Sequence, residues 1–192
     1  VATPRAWKKD PGLVLRFYNE RRKNIRQANP NLAHLEIACW QQDFDVSVIT
    51  QNIDDLHERA GSIQVLHLHG EILKMRSELN ESLCYPVSGD ILLGDRAEDG
   101  AQLRPAIVWF EEDVPMMSAA IRESLLADIF VVIGSSLSVY PAASLLHYLP
   151  EETPVVVIDK KLPRLHRANV TYIEKPATEG VMILKEMLYT TK

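Results

Sequence analysis

The chain has 192 residues, 46% hydrophobic and 24% charged, with a formal net charge of −5 and a pI near 5.7. That length supports one domain with a good core, or one domain with a small insert. The acidic balance speaks against nucleic acid as a direct partner, because phosphate binding wants a basic face, and no apolar run approaches the roughly 20 residues of a membrane span.

Two cysteines, Cys39 and Cys84, form no C-x-x-C pair, so neither a disulfide framework nor a thiolate zinc site is written here. Two reduced thiols in a reducing compartment are the expectation; a cytoplasmic location, a monomer and no membrane partner are expected as well.

Asp10-Pro11 predicts a helix start, an N-cap followed by proline at the first helical position. Leu13, Val14, Phe17, Tyr18, Arg21 and Ile25 then recur at helical spacing. Tyr18 and Arg21 lie three apart and share a face; by themselves they read as an arginine stem lying over a half-buried tyrosine. Asn29-Pro30-Asn31 predicts a turn capping a second helix, Leu32 to about Gln42, with His34 a structural or surface residue.

Asp45 to Ile49 reads as a short buried strand, and Gln64 to Leu68 as another ending in His69-Gly70. Between them runs Thr50-Gln51-Asn52-Ile53-Asp54-Asp55-Leu56-His57-Glu58-Arg59-Ala60-Gly61. Amides, carboxylates and an imidazole therefore crowd two strand ends, and open α/β sheets bind ligands at their carboxyl strand ends. His69 is the candidate general base, because an imidazole can accept a proton at physiological pH. His67 and His69 are two apart on a strand and point the same way, so with His57 or Asp54 they leave open a metal-dependent hydrolase.

Gly70 to Leu103 has no strong period and reads as an excursion, held by packing of Ile72, Leu73, Leu83, Tyr85, Ile91 and Leu92. Arg104 to Phe110 is a strand-like apolar run, Pro115 to Ala127 a helix and Asp128 to Ile133 a buried strand. Gly134-Ser135-Ser136 follows, and Pro141 opens the next helix; strand, small loop and helix make a plausible anion cradle. Pro154 to Ile158 is a strand ending in Asp159, where an acidic residue commonly holds ribose hydroxyls. Val170 to Ile173 is a last strand and Thr178 to Tyr189 a last helix. The alternation predicts an α/β fold, a doubly wound parallel sheet with right-handed crossovers. Residues 1–70 and 104–192 would form one Rossmann-like domain, and 71–103 a small inserted module.

T-Q-N-I-D-x-L-H-x-x-A-G followed by H-G resembles the signature of the sirtuins, the NAD-dependent protein lysine deacylases. Gly134 to Ala143 is similar to their G-T-S-L-x-V-x-P-A-A segment, and Arg104 to Phe110 to R-P-x-V-V-x-F-G-E. The resemblance implies NAD as cofactor, acylated-lysine proteins as partners, and release of nicotinamide with transfer of the acyl group to ADP-ribose. It implies His69 as the catalytic base. It implies Gln51, Asn52, Asp54, Gly134, Ser135, Ser136, Asp159 and Ala177 around NAD. It implies Ile107, Val108, Trp109 and Phe110 along the substrate peptide. Ala2, then Phe17-Tyr18-x-x-Arg21-Arg22, is similar to the subclass that removes acidic acyl groups; Ala2, Tyr18 and Arg21 would line the acyl pocket.

Four departures stand out. Glu111 replaces the family glycine, and Asp159 replaces the usual asparagine. Ser77 stands near the first cysteine of the family's zinc module, and Cys84 alone cannot complete a tetrad, so a metal-free insert without zinc is expected. No G-A-G-x-S phosphate loop occurs, which points to a piece of a longer protein, or else to a non-catalytic nucleotide sensor.

Overall fold

The structure, a computed structural model, describes residues 1–135, 137 and 140–190. The chain divides into two compact units. One comprises Val1–Asn29, Thr50–Leu56 and His67–Pro115; the other comprises Pro30–Ile49, His57–Leu66 and Met116–Lys192.

The first unit opens with helices α1 (Pro4–Lys9) and α2 (Pro11–Gln27). Thr3 Oγ1 accepts the Ala6 N–H at 3.1 Å, and Asp10 Oδ1 accepts the Leu13 N–H at 2.8 Å. Each cap satisfies an amide that the first helical turn leaves without a partner. The buried face of α2 is Val14, Leu15, Tyr18, Asn19 and Arg22, whereas Leu13 and Phe17 are exposed. The apolar spacing placed Leu13 and Phe17 on the core stripe; two polar side chains turn the helix away from it. The Asn19 amide donates to the Ile91 carbonyl at 2.9 Å and accepts the Ile91 N–H at 3.0 Å. Arg22 Nε donates to the Ile72 carbonyl at 2.8 Å. A buried backbone group needs a partner, so these residues face inward.

Strands β3 (Gly70–Ser77), β4 (Cys84–Pro86) and β5 (Leu103–Ile107) form an antiparallel sheet in the order β4-β3-β5. Gly70 to Leu103 thus begins with an eight-residue strand rather than an irregular excursion. Ile72 and Ile91 are buried in one cluster with Trp7, Val14, Leu15 and Tyr18, and Leu73, Leu83 and Tyr85 pack against it. Leu92, expected in that packing, is 60% exposed. Strand β5 stops at Ile107, short of Phe110.

Ser77 is completely buried. Its hydroxyl donates to Asp99 Oδ2 at 2.6 Å and accepts the N–H groups of Leu79 and Asn80 at 3.1 and 3.2 Å. Asp99 Oδ1 accepts the Ala101 N–H at 3.0 Å. A hydrogen-bonded knot therefore ties the two loops of the insert. Among the described residues no group of three His, Cys, Asp or Glu could hold a metal ion.

In the second unit, Asn31 and His34 form a capping box on α3 (Leu32–Trp40), which gives His34 its structural role. Strands β1 (Ser47–Thr50) and β2 (Gln64–His67) pair, with α4 (Leu56–Ala60) between them in sequence. They are less buried than their apolar runs suggest: Ser47 and Gln64 are exposed, and only Thr50 is fully buried. After α5 (Met117–Leu125) come the parallel strands β6 (Phe130–Ile133), β7 (Val155–Asp159) and β8 (Val170–Glu174), in the order β6-β7-β8. The segment after Pro141 is a 3₁₀ helix, Ala142–Tyr148, rather than an α-helix. Helix α6 (Ala177–Thr190) packs closely on β7 at Gly180, where an added Cβ would stand 2.1 Å from Ile158 Cγ2.

Ser77→Ala removes a buried hydroxyl that serves three polar groups, and is expected to lower unfolding stability by about 1–3 kcal/mol in urea titration. The Ser77 hydroxyl, with the Ala101 N–H, holds the Asp99 carboxyl below the usual carboxylate range. A depressed folded pKa stabilises above the unfolded value of about 3.9 and is lost as pH falls through the folded value. Acid sensitivity from this source should shrink in the variant.

Candidate functional site

His69 lies in the two-residue turn between β2 and β3, two residues beyond His67, which ends β2. Three backbone bonds fix the turn. Leu68 N–H donates to the Thr50 carbonyl, Ile72 N–H to the Ile53 carbonyl and Val108 N–H to the His69 carbonyl, each at 2.9 Å. Gly70 has φ 76°, and a Cβ there would lie 2.2 Å from the Ala106 carbonyl oxygen, so only glycine fits.

Nδ1 of His69 is 3.1 Å from the Gln51 carbonyl oxygen. A carbonyl only accepts, so Nδ1 carries a hydrogen, and in the neutral ring the lone pair is on Nε2. The fold thus selects the tautomer whose basic nitrogen is the one not bonded to the Gln51 carbonyl. His67 Nδ1 stands 3.3 Å from the Asn52 carbonyl in the same way. The Asn52 N–H donates to Thr50 Oγ1 at 3.1 Å, and Asp54 Oδ1 accepts the Leu56 N–H at 3.1 Å. Gln51, Asn52, Asp54 and His69 are thus gathered in one unit.

Gly134, Ser135, Asp159 and Ala177 belong to the other unit, and Ser136 lies outside the described residues. Gly134 follows β6, Asp159 ends β7 in register with Glu174, and Ala177 opens α6 after β8. All four therefore sit at or just past carboxyl ends of parallel strands, where dinucleotides bind such sheets. Gly134 has φ 61°, and an added Cβ there would meet no atom within 4 Å. That absence of neighbours is among the described residues, and the left-handed turn suits glycine. Asp159 Oδ1 accepts the Lys161 N–H at 2.9 Å, which orients the carboxylate. An oriented acid beside a glycine turn fits the ribose and phosphate chemistry of NAD.

Tyr18 is buried and its ring stacks on Trp109 at 6.4 Å. Burial pushes the phenol up, while Trp109 and the charges of Arg104 and Arg21 pull it back. It stays a neutral O–H donor at physiological pH. Arg21 is exposed one turn further on. Ala2 packs at the edge of the same core, and its carbonyl accepts the Phe110 N–H at 3.1 Å. Ile107 and Trp109 point into that core, Val108 is half-buried and Phe110 is 66% exposed.

The sequence reading missed a clamp. Arg104 Nη1 and Nη2 donate to the two carboxylate oxygens of Glu112 at 2.6 and 3.1 Å. Nη2 also donates to the Ile107 carbonyl at 3.0 Å, and Cζ lies 3.3 Å from the centre of the Trp109 ring. Glu112 Oε2 accepts the Trp109 N–H at 2.7 Å. The pair ends β5 at Ile107 and closes the Trp109–Glu112 turn. The signal lay in the spacing: arginine opens the R-P-A-I-V-W-F-E-E run and glutamate closes it. Within that turn Glu111 has φ 76°, a left-handed conformation that favours glycine.

Burial works against ionisation of Glu112, but the hydrogen bonds from Arg104 and Trp109 win and hold its carboxyl below the usual range. Glu112→Ala leaves a buried guanidinium without its counterion, and is expected to cost about 3–5 kcal/mol of stability by urea unfolding. With the folded pKa depressed, this contribution is complete above about pH 4.3 and declines as pH falls through the folded value. The variant should lose that part of the acid dependence.

Comparison with known proteins places these features in a family. The model of the Sir2 family matches residues 1–141. An NAD-dependent protein deacylase of Bacteroides thetaiotaomicron is 47% identical over 195 residues, covering 98% of this chain and 83% of that protein. One from Helicobacter pylori strain 26695 is 46% identical over 189 residues, covering 98% and 82%. Among solved structures, a Sir2 homologue in complex with NAD is 33% identical with a TM-score of 0.87, over 99% of this chain and 77% of that one. A Sir2 complex with a p53 peptide and NAD⁺ is 31% identical with a TM-score of 0.79, over 96% and 80%.

Proposed function

The chain belongs to the Sir2 family, and from that premise we propose that it strips acidic acyl groups, succinyl and malonyl, as well as acetyl, from protein lysines. NAD-dependent protein deacylation is the activity its relatives carry at high identity. NAD supplies an electrophilic ribose carbon, and the products are nicotinamide and O-acyl-ADP-ribose.

His69 is the base. Its Nδ1–H is anchored on the Gln51 carbonyl, so Nε2 is free to take a proton from a ribose hydroxyl. That single geometry carries the catalytic assignment. Asn52 and Asp54 would contact ribose and nicotinamide, and the carboxylate of Asp159 would accept from ribose hydroxyls. The Val108–Phe110 segment takes the substrate peptide beside the acyl-lysine. His69→Ala in the full-length protein is expected to lower deacylation by roughly 10²–10⁴-fold, the usual weight of a general base. Equal turnover in both proteins would remove His69 from the reaction.

The acyl preference rests on Tyr18 and Arg21. The neutral phenol donates one hydrogen bond to an acyl carboxylate, and the guanidinium presents a planar fork that matches it. Because Arg21 is exposed, water moderates the gain, and a preference of roughly 10-fold for succinyl over acetyl in kcat/KM is expected. Arg21→Met should abolish it on matched peptides. No succinyl preference in the wild type, or an undiminished one in the variant, contradicts the assignment.

A further inference from the structure

Trp109 is 2% exposed, and its indole Nε1–H is buried without a hydrogen-bond partner. A buried tryptophan usually finds an acceptor for that group, and leaving the bond unmade is costly. Such an orphan donor in a packed core calls for an explanation. Poor packing does not supply one. The Arg104 guanidinium lies 3.3 Å from the ring centre, and Trp7 packs at 5.6 Å between centroids. Glu112 Oε2 holds the Trp109 backbone N–H at 2.7 Å. Arg104 is itself fixed by both oxygens of Glu112 and by the Ile107 carbonyl. The direction of the indole N–H is therefore set in advance.

Tyr18 stacks on the same indole, with 6.4 Å between centroids and 29° between planes. The indole N–H stops short of a full hydrogen bond, yet it lies close enough to the phenol to favour its ionised form. A phenol oxygen donates one hydrogen bond and can still accept. Left alone, it can turn its hydrogen toward water or offer its lone pair to another donor. A carboxylate needs the hydrogen. An N–H on the accepting side of the oxygen leaves the phenol that one use, and each bond in such a chain polarises the next.

We infer that Trp109 is a positioning residue for Tyr18: when an acyl carboxylate is bound, the indole N–H donates to the phenol oxygen and commits the phenol hydrogen to the carboxylate. The inference rests on the acyl-pocket reading of Tyr18 above, and the experiment separates the two. A tryptophan that only filled the core would, once replaced, lower turnover on every acyl group alike.

The full-length protein is compared with Trp109→Phe, which keeps an aromatic ring and removes the donor. A second variant, Trp109→3-benzothienylalanine, keeps the shape of the indole and puts sulfur in place of the N–H. On matched peptides, the ratio of kcat/KM for succinyl-lysine over acetyl-lysine should fall roughly two- to five-fold in both, the weight of a neutral hydrogen bond. In a Tyr18→Phe background the same replacements should leave the ratio unchanged, since the two residues act through a shared bond. Tyrosine labelled with ¹³C at Cζ reports the Tyr18 phenol directly. Its pKa should rise in both variants, because the phenolate loses a donor. Loosened packing would admit water and lower it instead. An acyl ratio unchanged by the benzothienyl replacement, or a Tyr18 pKa that falls or stays, overturns the inference. A wild type with no turnover, or with no succinyl preference, contradicts the deacylase or the acyl-pocket reading; the phenol titration then still decides the hold of Trp109 on Tyr18.

Discussion

The hydrogen bond from His69 Nδ1 to the Gln51 carbonyl is the interaction on which the proposed chemistry depends. It selects the tautomer, and the tautomer decides which nitrogen can act as a base. The bond exists only because the turn after β2 brings His69 back over the end of β1. Gly70 permits that turn, since any Cβ would strike the Ala106 carbonyl. The β3–β5 pairing, with Gly70 opposite Ile107, then holds the turn from behind. The orientation of this ring is thus a property of strand register, and a one-residue slip would turn the imidazole away.

A second constraint sits at the far end of β5. Burying Arg104 is unfavourable in itself, and the cost is met by a forked pair with Glu112, a bond to the Ile107 carbonyl and the face of Trp109. The same Glu112 takes the Trp109 N–H, so charge pairing and backbone shape are settled together. That rigidity allows a strained Glu111 to persist between them. Between β3 and β5, Ser77 and Asp99 join two loops by hydrogen bonds.

Much of this was legible in the residues. Asp10-Pro11 and Asn31 announced their helices because capping is a local interaction. The parallel strands β6, β7 and β8 were visible as apolar runs, with Gly134 and Asp159 at their ends. The face of α2 was misjudged because Asn19 and Arg22 are buried by the needs of Ile91 and Ile72, residues fifty or more positions away. Leu92 looked like core and is exposed, since nothing in its own neighbourhood reveals what lies opposite. The Arg104–Glu112 clamp escaped notice because an apolar run invites reading as a strand to its end. His69 could be named as the candidate base from sequence, but its tautomer could not, for that follows from a carbonyl eighteen residues upstream.

The central claim is therefore about one proton on one ring. In protein labelled with ¹⁵N on histidine, the two ring nitrogens of His69 can be distinguished by their long-range couplings to the ring hydrogens, measured above the titration of the imidazole. The account predicts a neutral ring with its hydrogen on Nδ1 and a bare Nε2. A ring carrying its hydrogen on Nε2 would contradict it.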